Sequence, residues 1–246
     1  MNIFVYKKFL SKKNIMKISY IVPCLNESKN IKKVYNHITI ANKNAKIIDY
    51  ELILINDYSS DNTLEVLKDL QKDDKRIKII NNLKNLGLGR SIKVGIEKAS
   101  KEFLMYLPGD NCHSSSEIIK LLRVKENYDI LLSFYTNKSE RSLFRRIFTA
   151  IYTPFLNFIF NQNLPYYNGI AIYRKKIIDN INLTTSGFTW QIEFLVKILK
   201  NKKIKLILQP TLLNERSHGK SKAFRLKNCF IVVFSILNIW IWNLFN

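Results

Sequence analysis

The chain has 246 residues, 47% of them hydrophobic, enough for one large core and too apolar for a disordered segment. Forty Lys and Arg against 19 Asp and Glu give a formal net charge of +21, which points to an anionic partner: a phosphate-bearing substrate, nucleic acid or an anionic membrane surface. Three well-separated cysteines speak against a disulfide framework, and three scattered histidines against a histidine-based metal centre.

The basic residues form no zinc-finger spacing, RNA-binding aromatic motif or recognition helix, so nucleic acid is not expected. Residues 1–16 read as a loose basic leader without a signal-peptide core or a small-residue cleavage site. A strand over 17–22 is expected to end at Pro23. Asn26 is then a plausible helix N-cap, with Glu27 in the first turn and the helix running to about residue 40. "YELILIN" (50–56) reads as a buried strand, 57–62 as a polar turn and 63–71 as a helix. "RIKII" (76–80) is a third strand, followed by the Gly-containing loop and helix of "NLGLGRSIKVGIEKAS". "EFLMYL" is a fourth strand, with helix 116–125 and strand 129–134 after it.

Short apolar strands alternating with helices predict an α/β fold with a mostly parallel central sheet flanked by helices. In such sheets ligands bind beyond the carboxyl ends of the strands. Three of those ends carry acids and amides: Asn26-Glu27, Asn56-Asp57 and Asp110-Asn111. Their convergence is the first functional signal.

Beyond residue 140, "RSLFRRIFTAIYTPFLNFIF" is a basic, aromatic-rich amphipathic stretch. "NGIAIYRKKII" is a strand and helix start, and "SGFTWQIEFLVKILKNKKIKLILQP" a helix and strand. A polar basic loop, "NERSHGKSKAFRLK", leads into the apolar "CFIVVFSILNIWIWNLFN", which is at the lower length limit for crossing a bilayer. Cations before this segment and two tryptophans near its end favour membrane attachment; a core helix is the alternative.

The pieces "YIVPCLNESKNI", "ELILINDYSSDNTLEVL", "NLGLGRSIKVGIEKA", "YLPGDN", "SGFTWQIEFLVK" and "NERSHGKSK" occur in an order and spacing that resembles the family 2 inverting glycosyltransferases. Within these the chain is most similar to dolichyl-phosphate mannose and polyprenyl-phosphate sugar synthases. The resemblance implies a GT-A fold over 17–222; the apolar character of 223–246 makes it a C-terminal membrane-associating segment. It implies transfer of a sugar from a nucleotide-sugar donor to a polyprenyl phosphate or lipid-linked glycan on the cytoplasmic side of a membrane. A sugar hydroxyl in surface-polysaccharide assembly is the alternative acceptor, and a catalytically inactive GT-A binding protein the alternative class.

By the same resemblance Pro23, Leu25 and Glu27 line the nucleotide pocket and Asp57 reads the base or ribose. Pro23 could instead merely end a strand, and Asp57 merely form a turn. Asp110 matches the last acid of the family's DxD element, which holds a divalent cation (Mg2+ or Mn2+) and the donor diphosphate. Pro108 replaces the first acid, so any metal requirement is expected to be weak. Gly109 would let the backbone approach sugar or phosphate. His113 is expected at the surface, with a supporting place behind the metal-binding residue as the alternative. Arg216, Ser221 and Lys222 match a segment facing the acceptor phosphate or diphosphate, and Arg145 and Arg146 lie where the group has another phosphate-facing Arg; a solvated basic loop is the plain alternative for the former. Phe134 stands where the group has an Arg after the fifth strand, which puts a lipid-phosphate acceptor in question. Trp190 could stack on a sugar or fill the core. Glu193 is a candidate general base if the acceptor is a hydroxyl; a phosphate acceptor, already anionic, needs none.

Overall fold

A computed structural model describes residues 4–5, 16–137, 143–179, 181–214 and 226–245. In chain order the elements are β1 (Phe4–Val5), β2 (Ile18–Cys24), α1 (Ile31–Ala45), β3 (Tyr50–Asn56), α2 (Thr63–Asp73), β4 (Ile77–Asn81), α3 (Leu88–Lys98), β5 (Phe103–Tyr106) and α4 (Ser115–Leu122). There follow β6 (Ile130–Tyr135), α5 (Leu143–Phe160), β7 (Ala171–Arg174), α6 (Lys175–Ile178), α7 (Trp190–Leu199), β8 (Leu206–Thr211) and α8 (Leu226–Phe245).

The strands form one sheet in the order β1-β8-β6-β7-β5-β2-β3-β4. All pairings are parallel except those of β7, which runs antiparallel between β5 and β6. The mostly parallel expectation therefore holds, with one reversed strand dividing two parallel halves. Two residues of the expected leader, Phe4 and Val5, pair with β8 at the sheet edge.

Both faces of the sheet are covered, which is why β3 reads as a continuous apolar run and is buried at every position. Alternate residues feed separate cores. Ile53 and Ile55 enter one with residues of α7, and Leu52 and Leu54 enter the other with residues of α1, α2 and α4. The α1 face that packs there is Ile31, Val34, Ile38 and Ala41, the spacing of a helix stripe.

Two local expectations fail for long-range reasons. Pro23 does not end β2; the strand continues to Cys24. The β5 partner stops opposite Ile21, so past that point β2 pairs with β3 alone, and a missing N–H is tolerated on the open side. The helix after β2 starts at Ile31 rather than beside Asn26. Asn26 has φ 61° and belongs to a loop.

Candidate active site

The carboxyl ends of β2, β3 and β5 lie side by side in the order β5-β2-β3. The β2 loop is tied to the β3 loop by a polar lattice. Asn26 N–H donates to Ser59 Oγ (3.0 Å), and Asn26 Oδ1 accepts from Ser60 N–H (2.8 Å). Asp61 accepts from both the N–H and the hydroxyl of Ser28 and from Thr63 N–H, so it joins the loop to the first turn of α2. Burial raises the Asp61 pKa, but these donors outweigh it and hold the carboxyl below its usual range. Glu27 N–H donates to Thr63 Oγ1 (2.9 Å), and its Oε2 accepts from Asn30 Nδ2 (2.7 Å). Pro23 and Leu25 are half-buried at this edge.

Asp57, expected to read a base or ribose, is buried, and its carboxylate organises the Gly-containing loop. Oδ1 accepts from Asn82 Nδ2 (2.9 Å) and Leu86 N–H (2.8 Å), and Oδ2 from Gly87 N–H (3.0 Å). Gly87 has φ +83°, and a Cβ there would stand 2.6 Å from Ser186 O. Gly89 N–H donates to the same carbonyl (2.9 Å). The loop therefore rests on Thr185 and Ser186, which glycine at both 87 and 89 allows.

That support is built by Glu193. Its side chain is 0% exposed. It accepts from Thr184 N–H and hydroxyl, from Thr185 N–H (2.8 Å) and hydroxyl (2.7 Å), and from Lys197 Nζ (2.6 Å). Burial raises its pKa, but the Lys197 ammonium and the Thr185 and Thr184 donors prevail and hold it low. A carboxylate so enclosed, and made less basic, does not suit a general base. This corrects the expectation for Glu193: it is a brace under the loop.

Gly109 lies close against the β2 loop. A Cβ there would meet Pro23 O at 3.0 Å and Cys24 Sγ at 3.2 Å, with Glu27 Cγ at 3.6 Å. Its bareness seats the β5 loop against the β2 loop, with Asp110 next in the chain. Asp110 is half-buried, and its Oδ1 accepts from Cys112 N–H (3.2 Å). Asn214 N–H donates to Cys112 O (3.0 Å), which brings the chain after β8 to the Asp110 loop.

His113 is 4% exposed, not at the surface, and stacks on Tyr135 with centroids 5.9 Å apart. Burial pushes its pKa down to about 4, against the pull of Asp110 and Glu117. Tyr166 meets Tyr135 edge-on at 5.1 Å. Trp190 is buried edge-to-face on Tyr106 at 5.0 Å, which favours the core reading over an open sugar platform. Arg146 is exposed on α5; the side chain of Arg145 and residues Arg216, Ser221 and Lys222 lie outside the described residues. Among the described residues no group of three or more His, Cys, Asp or Glu side chains is arranged to hold a metal ion.

The sequence reading missed Asn82, Thr184 and Thr185. Asn82 follows β4, a fourth strand end that the convergence argument could have included; the threonines carry no local signal.

Comparisons with known proteins extend this geometry. The model of glycosyl transferase family 2 matches residues 19–181. A putative glycosyltransferase, CsbB, of Bacillus subtilis is 30% identical over 141 residues, covering 57% of this chain and 42% of that protein. The dolichol-phosphate mannosyltransferase of Pyrococcus furiosus is 25% identical over 219 residues, covering 84% of this chain and 59% of that protein. An undecaprenyl-phosphate 4-deoxy-4-formamido-L-arabinose transferase of Yersinia pestis is 28% identical over 170 residues, covering 67% and 51%. The chain thus spans about half the length of the curated relatives it matches. Glucosyl-3-phosphoglycerate synthase from Mycobacterium tuberculosis, solved with Mn2+, UDP-glucose and phosphoglyceric acid, superposes with a TM-score of 0.66 at 16% identity, covering 93% of this chain and 79% of that one, which establishes a shared GT-A fold. With most of its length inside the matched region, this chain belongs to glycosyl transferase family 2.

Proposed function

We propose that the protein transfers a sugar from a nucleotide-sugar donor to a polyprenyl phosphate or a lipid-linked glycan at the cytoplasmic face of a membrane. The observation that carries the lipid part is the neighbourhood of the donor loop. The segment 184–187 supports Gly87 and Gly89 on one side, and at Gly187 it meets Ile231 of the apolar α8 on the other. A polar loop beside a lipophilic flank suits an acceptor with an anionic head and a hydrocarbon tail. The relatives named for dolichol phosphate and undecaprenyl phosphate support the same acceptor class.

In this reading Pro23, Leu25 and Glu27 border the nucleotide, Asp57 holds the loop that closes its pocket, and Asp110 faces the diphosphate. The oxygen chemistry at this edge fits a hard cation, Mg2+ or Mn2+, with Asp110 as its protein ligand. One ligating carboxylate is a small share of six oxygen positions, so the donor phosphates and water would supply most of the rest. The cation would stabilise the departing nucleoside diphosphate. Arg145, Arg146, Arg216, Ser221 and Lys222 are assigned to the acceptor phosphate on the strength of resemblance. A phosphate acceptor is already an anion and needs no base, which agrees with the enclosed Glu193 carboxylate and its lowered pKa.

The test offers labelled UDP-, GDP- and CDP-sugars to the protein with membrane extract and Mn2+. The expected product partitions into organic solvent and releases its sugar in mild acid. Label found only in water-soluble glycan would move the acceptor to a sugar hydroxyl. Neither transfer nor donor hydrolysis would leave the inactive binding protein.

A further inference from the structure

We infer that α8 lies in the plane of a bilayer, with both its ends on the side that holds the catalytic domain. The inference rests on the membrane reading above and settles how the helix meets the lipid. By length and composition alone, Asn228–Phe245 could cross a membrane. Its packing says otherwise. Val232, Ser235, Ile236, Ile239, Trp242 and Asn243 face inward, a stripe at steps of three and four. At a rise of about 1.5 Å per residue this seam is roughly 17 Å long, more than half of the helix. It runs along the domain rather than touching it at one end.

The seam closes on α7. Lys197 and Lys200 sit over the Trp242 ring, 5.0 and 5.2 Å from its centroid, and Lys200 Nζ donates to Asn243 O (2.8 Å). Lys197 lies on α7, the helix of Glu193 beneath the Gly-containing loop, and Lys200 caps that helix. The far end of α8 is thus fastened by cations of the catalytic domain. A spanning α8 would either draw Lys197, Glu193 and Lys200 to bilayer depth or tear Trp242 from its lysines and uncover the core at Ile236 and Ile239.

The outward side matches an interfacial helix. Phe230, Val233, Phe234, Leu237, Ile241 and Leu244 are exposed, and only 17% of the apolar window is buried. The neighbouring α5 packs against α8 and exposes Ile147, Ile151, Phe155 and Phe158. Trp240 is exposed and suits headgroup depth. A second copy of the chain is a poorer occupant for this face, because each copy carries a net charge of +21, whereas anionic lipid complements it.

The test uses the full chain with sealed vesicles of phosphatidylcholine and phosphatidylglycerol. In a background with Cys112 and Cys229 replaced by Ser, which leaves the buried Cys24, one accessible cysteine at a time is placed by Phe234→Cys or Phe245→Cys. Nitroxide lipids should report the same shallow depth at both positions, and an impermeant maleimide added outside should modify Phe245→Cys. Phe234→Glu combined with Leu237→Glu, both facing outward, should retain the circular dichroism spectrum and lower vesicle binding by about tenfold or more. A label at 245 that reacts only after vesicle lysis would establish a spanning helix and overturn the inference. A soluble dimer without vesicle binding would give the face to a second copy and overturn it too. Lipid-product formation measured in detergent is independent of these outcomes: if it persists when α8 proves to span, only the in-plane inference falls; if it is absent while α8 lies in plane, the proposed acceptor falls.

Discussion

Replacing Glu193 separates its role as a brace from that of a base. In Glu193→Ala five donors lose their acceptor: the N–H and hydroxyl of Thr184 and of Thr185, and Lys197 Nζ. Leaving one buried donor unsatisfied costs about 1–3 kcal/mol, and orphaning one member of a buried ion pair about 3–5 kcal/mol. Lys197 keeps a hydrogen bond to Asn182 O (2.7 Å), and the loop can relax, so the terms do not add in full. The expected loss is about 3–5 kcal/mol, a large fraction of the stability of an ordinary domain. Urea unfolding followed by the fluorescence of buried Trp190 reads it directly. Glu193→Gln keeps one carbonyl acceptor and should cost less, while weakening donor binding through the displaced 184–187 segment. The pH dependence follows from the lowered pKa. This stability is present above the ordinary carboxyl range and is lost as pH falls through the depressed native value. A Glu193→Gln protein with wild-type stability and donor affinity, but a collapsed turnover rate, would refute the brace and restore the base.

Asp110→Ala should abolish transfer while shifting the melting temperature little, because Asp110 is only half-buried and its bond to Cys112 N–H is local; near-wild-type turnover would remove it from the site. Asp57→Ala should weaken nucleoside diphosphate binding in calorimetry and also loosen the 82–87 loop to proteolysis, at a cost of about 2 kcal/mol from orphaned donors; unchanged affinity with an intact loop contradicts both roles. His113, with its pKa pushed to about 4, binds protons more readily when unfolded, so stability should fall as pH drops from about 6.5 towards 4 and stay level above that range. His113→Phe should remove about 3 kcal/mol of that slope, and an unaltered profile would assign the slope to other groups.

The parts that could be read from sequence are those whose signal is local. β3 announces itself because both its faces are covered, and the α1 stripe because its period is that of a helix. Three strand ends with acids or amides were legible in the sequence, and the sheet order sets them side by side. What escaped was fixed by residues far away in the chain. Asn26 is a good capping residue, yet its partners Ser59 and Ser60 hold it in a loop 33 and 34 positions distant. Pro23 is a strand breaker only where both neighbours are present, and β5 stops short of it. Glu193 sits in a promising place for a base, but Thr184, Thr185 and Lys197 consume its acceptor capacity. His113 is polar, and nothing near it in the chain foretells the Tyr135 ring that covers it.

The seating of the Gly-containing loop on Ser186 also bears on the order of events during synthesis. β2, β3, β4 and β5 are all neighbours in the early chain, so their half of the sheet can form soon after it emerges. The carbonyl that receives Gly89 N–H belongs to a residue made much later, and the Glu193 that fixes that carbonyl's segment comes later still. The other half closes later again, since Thr136 must find Thr211, 75 positions on. A nascent chain can therefore own a nearly complete sheet edge and still lack the floor of its donor loop. Under the proposed function, competence to bind donor would arrive only when α7 docks, close to the moment at which the apolar α8 leaves the ribosome.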